Sequence, residues 1–145
     1  MNIPPDIHAR VVELTDTILH AGQSGDAEAA QAAYRALADY GHAVAAEGRD
    51  HPFLWETLAD FTGDDRLAIA LYLRALPLAT AADACGYAAS ICLALAERHV
   101  NLDEPEAARD YARQADGFAG RTDDLPLRRD IRQFLLDHAS PADRH

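Results

Sequence analysis

The chain is short of positive charge. Its 145 residues hold 13 arginines and no lysine against 24 acids, for a formal net charge of −11. Residues 121–145 balance, with five arginines and five acids, so residues 1–120 carry the whole excess. Nucleic-acid binding needs a basic footprint that displaces counterions, and this body has the opposite sign. It suits a basic partner, though acidity is also an ordinary device for solubility. The motifs that carry common chemistry are missing too. There is no H-E-x-x-H, C-x-x-C, EF-hand loop, P-loop or G-x-S-x-G. No apolar run approaches the ~18 residues of a membrane span, and the opening MNIPPDIHAR lacks the charged-then-apolar order of a leader. The expected location is therefore the cytoplasm, with no membrane partner. Only two cysteines occur, Cys85 and Cys92, seven apart on one helical face. Two turns separate such positions by about 10 Å, too far for a disulfide, so both read as small buried apolar residues.

What is abundant is alanine, at 31 residues, with few β-branched or aromatic runs to oppose helix. The pattern predicts seven helices. The first runs from Pro5 to Ala21 with Gly22 ending it, and Ser24 caps the second through the alanine-rich segment to about Tyr40. Gly48 and Pro52 break the chain, and Phe53 to Phe61 forms a short third helix. The turn Thr62-Gly63-Asp64 leads to a fourth that stops at Leu76 before Pro77. A fifth spans Ala82 to Asn101, and Asp103 caps a sixth that closes at Gly117 or Gly120. The last runs from Leu125 to His138, with Leu127, Ile131, Phe134 and Leu135 inward and arginines outward.

A motif recurs along this series. Residues 55–76 and 92–115 each hold an apolar run, a polar turn and a second run with small residues at offsets of four and seven. Those residues are Ala68, Tyr72 and Ala75 in one copy and Ala108, Ala112 and Ala115 in the other. Such spacing places them on one helical face and lets a neighbouring helix come close. Aligning Ala29, Ala68 and Ala108 gives repeat distances of 39 and 40 residues, within the range of helical-pair repeats. The expected fold is all-α: a single domain over 1–145, with hairpins at 1–47, 53–79 and 82–120 and a capping helix at 123–139.

In these residues the chain resembles the tetratricopeptide repeat family. Trp55, Leu58 and Ala59 match the aromatic, leucine and small residue of that family's first helix, as do Cys92, Leu95 and Ala96 in the later copy. Gly63-Asp64 matches the turn, and the second helix's small, aromatic and small residues are matched by Ala68, Tyr72 and Ala75, then by Ala108, Ala112 and Ala115. The middle copy lacks about one turn of its first helix. The resemblance implies a right-handed solenoid with a partner-binding groove. The stretch HPFLWETLADF, with the small size and acidity, also resembles small bacterial repeat proteins that neutralise polymorphic toxins. Alanine excess and arginine-only cations agree with a GC-rich bacterial genome.

Within the implied groove, Glu56 and Asp60 share a helix face distinct from the Trp55/Leu58/Ala59 stripe. Glu97 and Asn101 stand in the same relation on the fifth helix, and Phe53 lies beside them. These five are the candidate partner-binding residues; a merely solvated face is the alternative. Trp55 reads as a wedge inside its own helix pair, with an exposed binding hot spot as the alternative. The histidines, His8, His20, His42, His51, His99, His138 and His145, scatter over separate elements and predict no metal site. Asp50-His51 could be a base and its orienter, but a helix-breaking linker favours turn chemistry. The expectation is a non-enzymatic protein without cofactor or metal that binds another protein, at its sharpest an immunity protein against a basic nuclease toxin. A chaperone or adaptor holding an extended peptide is the alternative, and an enzyme with an unrecognised carboxylate site a further one.

Overall fold

A computed structural model describes residues 1–140; the histidine expectation at His145 lies outside them. Seven helices follow in order: α1 (Pro5–Gln23), α2 (Ala27–Ala46), α3 (Pro52–Asp60), α4 (Asp65–Ala81), α5 (Cys85–Asn101), α6 (Pro105–Ala119) and α7 (Leu125–Asp137). The described residues hold no strand, and none of their helices is long and apolar enough to cross a membrane. The architecture is all-α and repeat-like. α1 packs on α2, α3 on α4 and α5 on α6 as hairpins, and α7 closes the row against α5 and α6. Successive first helices touch along the line α1, α3, α5, α7, while the backbones of α2, α4 and α6 make no close approach to one another.

The turns show why the chain folds at these points. Asp26, Asp64 and Asp124 each accept a hydrogen bond at 3.0 Å from the backbone N–H three residues on, capping α2, α4 and α7. Ser24 is not the cap of α2; its N–H bonds back to the His20 carbonyl and it ends α1. Asp103 is likewise not the cap of α6. It sits in the left-handed region (φ 57°) and terminates α5, as Asp83 (φ 53°) terminates α4. The following N–H in each case reaches back five residues, Glu104 to His99 and Ala84 to Ala79, both at 2.9 Å. Pro77 does not stop α4, which continues to Ala81. The proline cannot donate to the Leu73 carbonyl, and Leu73 is itself an exposed residue.

The small-residue faces are buried as their spacing requires. Ala68, Ala75 and Ala79 of α4 and Ala108, Ala112 and Ala115 of α6 are fully covered. In α2 the buried stripe is Ala33, Leu37, Gly41 and Val44, so the first hairpin is in register one turn later than Ala29. Gly41 stays inside its helix because a Cβ there would lie 3.3 Å from the Trp55 ring. Trp55 is fully buried and is no exposed hot spot. Its wedge role reaches beyond its own pair: it meets α2 at Gly41, carries the Arg74 guanidinium of α4 at 3.7 Å, and donates from Nε1 to Asp50 at 3.0 Å.

Candidate functional site

The acids singled out in α3 stand where that short helix faces α5. Glu56 Oε2 accepts a 2.6 Å hydrogen bond from the Ser90 hydroxyl of α5, and Asp60 Oδ1 accepts one at 2.5 Å from the Tyr72 hydroxyl of α4. Burial pushes the Glu56 carboxyl up to about 7, against the opposing pull of Ser90, with Asp60 raising it further. Asp60 is raised by burial as well, while the Tyr72 hydrogen bond and Arg98 oppose the rise. On α5, Glu97 is raised by burial and then by the charges of Asp130 on α7 and Asp60 on α3. Asp60 thus acts on both Glu56 and Glu97, and Asp130 acts on Glu97, so these four carboxyls make a row across α3, α5 and α7.

Asn101 and Phe53 stand apart from this row. The Asn101 amide donates to Asp65 Oδ1 at 3.1 Å, alongside Arg98, which also donates to Asp65 at 3.1 Å and to the Ala59 carbonyl at 3.3 Å. These contacts fasten the end of α5 to the α3–α4 turn, and the hydrogen bonds hold Asp65 below the usual carboxylate range. Phe53 stacks on His8 of α1, ring centres 5.8 Å apart. Asp130 had no signal in the sequence, because α7 reads as an arginine face. Ser90 and Tyr72 could be found only once α3 was set against its neighbours.

A pocket of about 790 Å³ opens beside Glu56, between Met1, the start of α5 and the α6–α7 turn, with Cys85, Tyr87, Ser90 and Arg121 in its wall. Its chemistry is mixed. Cys85 is partly exposed at the first turn of α5, not buried as expected, whereas Cys92 is fully buried with its thiol pushed up to about 11. A thiol that weakly acidic supplies no nucleophile at neutral pH. Asp50 and His51 do turn chemistry: Asp50 holds Trp55, and His51 Nδ1 accepts from the Phe53 N–H at 3.0 Å to cap α3. Five of the six described histidines lie against an aromatic ring, His51 on Tyr87 and His99 on Tyr111 among them. Among the described residues no group of three or more His, Cys, Asp or Glu gathers as a metal site.

The Glu56 environment has a measurable consequence. Its folded value near 7 exceeds the ordinary 4.5, so the folded state holds a proton that the unfolded state has released between those values. Its stabilising contribution is complete below pH 4.5 and fades as pH rises through 7. Glu56→Gln keeps an acceptor for Ser90 and removes the charge, so at pH 8 it is expected to be more stable than the parent by about 1–2 kcal/mol. That gain should vanish near pH 5. His51, pulled down by burial, acts in the opposite direction as pH falls below 6.5, so the quantity to measure is the difference between variant and parent in urea melts across pH. A difference independent of pH would show that Glu56 is ionised throughout.

Comparison with protein-family models, curated proteins and solved structures finds no match to this chain in any of the three.

Proposed function

We propose that the chain is a non-catalytic, cytoplasmic helical-repeat module of tetratricopeptide type that binds a basic protein partner on the face of α3, α5 and α7. The observation supporting this reading is the row Glu56, Asp60, Glu97 and Asp130, which comes from three helices: Asp60 raises the proton affinity of Glu56 and Glu97, and Asp130 that of Glu97. Carboxyls held together at a cost in mutual repulsion lower that cost when an arginine or lysine arrives between them. In its most specific form the partner is a cognate toxin, such as a basic nuclease, and the chain is its immunity protein.

The test looks beside this chain's gene for a toxin-like open reading frame and uses its product. Co-expression should protect cells from it, and the two proteins should form a complex whose association rate falls with salt. Glu97→Arg with Asp130→Arg, two acids with no hydrogen bond among the described residues, should slow association by about tenfold or more. Glu28→Arg with Asp39→Arg, exposed on α2, should do much less. Equal binding by both pairs would remove the acidic row as the site, and failure to protect would remove the immunity role.

A second reading rests on Glu56 alone. A carboxyl near 7 that opens on a pocket is suited to general acid–base work. A turnover abolished by Glu56→Gln would favour it over the binding module.

A further inference from the structure

The two end helices of the row leave large apolar side chains in solvent. A helical stack needs polar outer faces at its ends to stay soluble. Here α1 packs only on α2 and α3, and α7 only on α5 and α6, yet their free faces are not polar throughout. On α7, Leu125 (61% exposed) and Leu136 (71%) bracket Arg129 and Arg132. Spacings of four, three and four put these residues in one stripe, opposite the buried Ile131. On α1, Val12 (37% exposed) and Leu19 (53%) bracket Asp16 at spacings of four and three. The charges complement each other in the same way. Arg129, Arg132 and Asp16 have no ion-pair partner among the described residues, in a chain whose acids outnumber its arginines by 24 to 13.

We infer that these end faces are two halves of one interface, and that α7 of one copy docks on α1 of a second copy of this chain. The apolar pairs at the stripe ends cover each other, and the guanidiniums between them meet Asp16. A pairing of like ends is disfavoured, since α7 on α7 would set Arg129 and Arg132 against their own kind. The contact is therefore head to tail. It leaves a free head and a free tail on every assembly, so oligomers grow open-ended. The inference uses none of the acidic-row residues and stands apart from the partner reading above.

Sedimentation velocity on the full chain tests it. At low salt (about 50 mM) the mean mass should rise with concentration toward a few hundred micromolar, and it should return to monomer near 500 mM salt. Two blocked variants follow: Arg129→Ser, Arg132→Ser and Leu136→Ser at the tail, and Val12→Ser, Asp16→Ser and Leu19→Ser at the head. The changed positions are exposed or, for Asp16, on the exposed face of α1, so circular dichroism should be preserved. Each variant alone should self-associate at least about tenfold more weakly than the parent. Mixed, they should form a dimer that stops at two, because only one native head and one native tail remain. A parent monomeric at all concentrations in low salt would overturn the inference. So would a blocked variant that still associates with itself, or a mixture that stays monomeric.

Discussion

Replacing Trp55 with alanine is expected to lower stability by about 3–5 kcal/mol, a large part of the 5–15 kcal/mol that holds a typical domain. The ring is fully buried and lies where α2, α3 and α4 meet. Its loss leaves a cavity against Gly41, removes the surface under the Arg74 guanidinium and takes the Nε1 donor from Asp50. In a stacked fold the damage falls on one joint, so the first hairpin should loosen before the rest. Urea unfolding followed by circular dichroism and by hydrogen exchange on α1 and α2 would then give non-coincident transitions. Gly41→Ala crowds the same ring from the other side, at 3.3 Å, and should cost less. A Trp55→Ala chain as stable as the parent would mean that the joint is held elsewhere.

Truncation after Gly120 is the second large effect. It removes α7, and with it the cover over Ala89, Cys92, Ala115 and Ala119, which pack on Ile131, and over Ala96, Ala108 and Ala112, which pack on Phe134. Burial of Ile131 and Phe134 alone contributes roughly 1.5–3 kcal/mol each. The shortened chain is expected to aggregate or to lose protection in α5 and α6, read by light scattering and hydrogen exchange. A truncated chain that stays monomeric and equally stable would show that α7 is an appendage to an already complete core.

Most of the helices were legible in the chain because their causes are local. Asp64 and the Gly48–Pro52 break work through adjacent backbone, and the alanine faces of α4 and α6 follow from spacing alone. The errors have local causes too. A serine at position 24 and an aspartate at 103 look like caps, yet each ends the preceding helix: Ser24 is still helical and Gly25 (φ 73°) makes the turn, while Asp103 itself takes the left-handed conformation that glycine usually supplies. Pro77 reads as a stop, yet α4 runs past it to Ala81 with Ala75 and Ala79 buried on either side, because packing can outweigh one missing backbone hydrogen bond.

For the candidate site, the sequence by itself determined that Glu56 and Asp60 share a helix face and that the body is acidic. Tertiary structure decided the rest. It brought Ser90 and Tyr72 to those carboxyls from 34 and 12 residues away, added Asp130 from α7, and sent Asn101 and Phe53 to Asp65 and His8 instead. Helical period is a property of neighbours in the chain, so sequence carries it. A carboxyl's charge depends on which groups exclude water from it, and here those groups arrive from other helices.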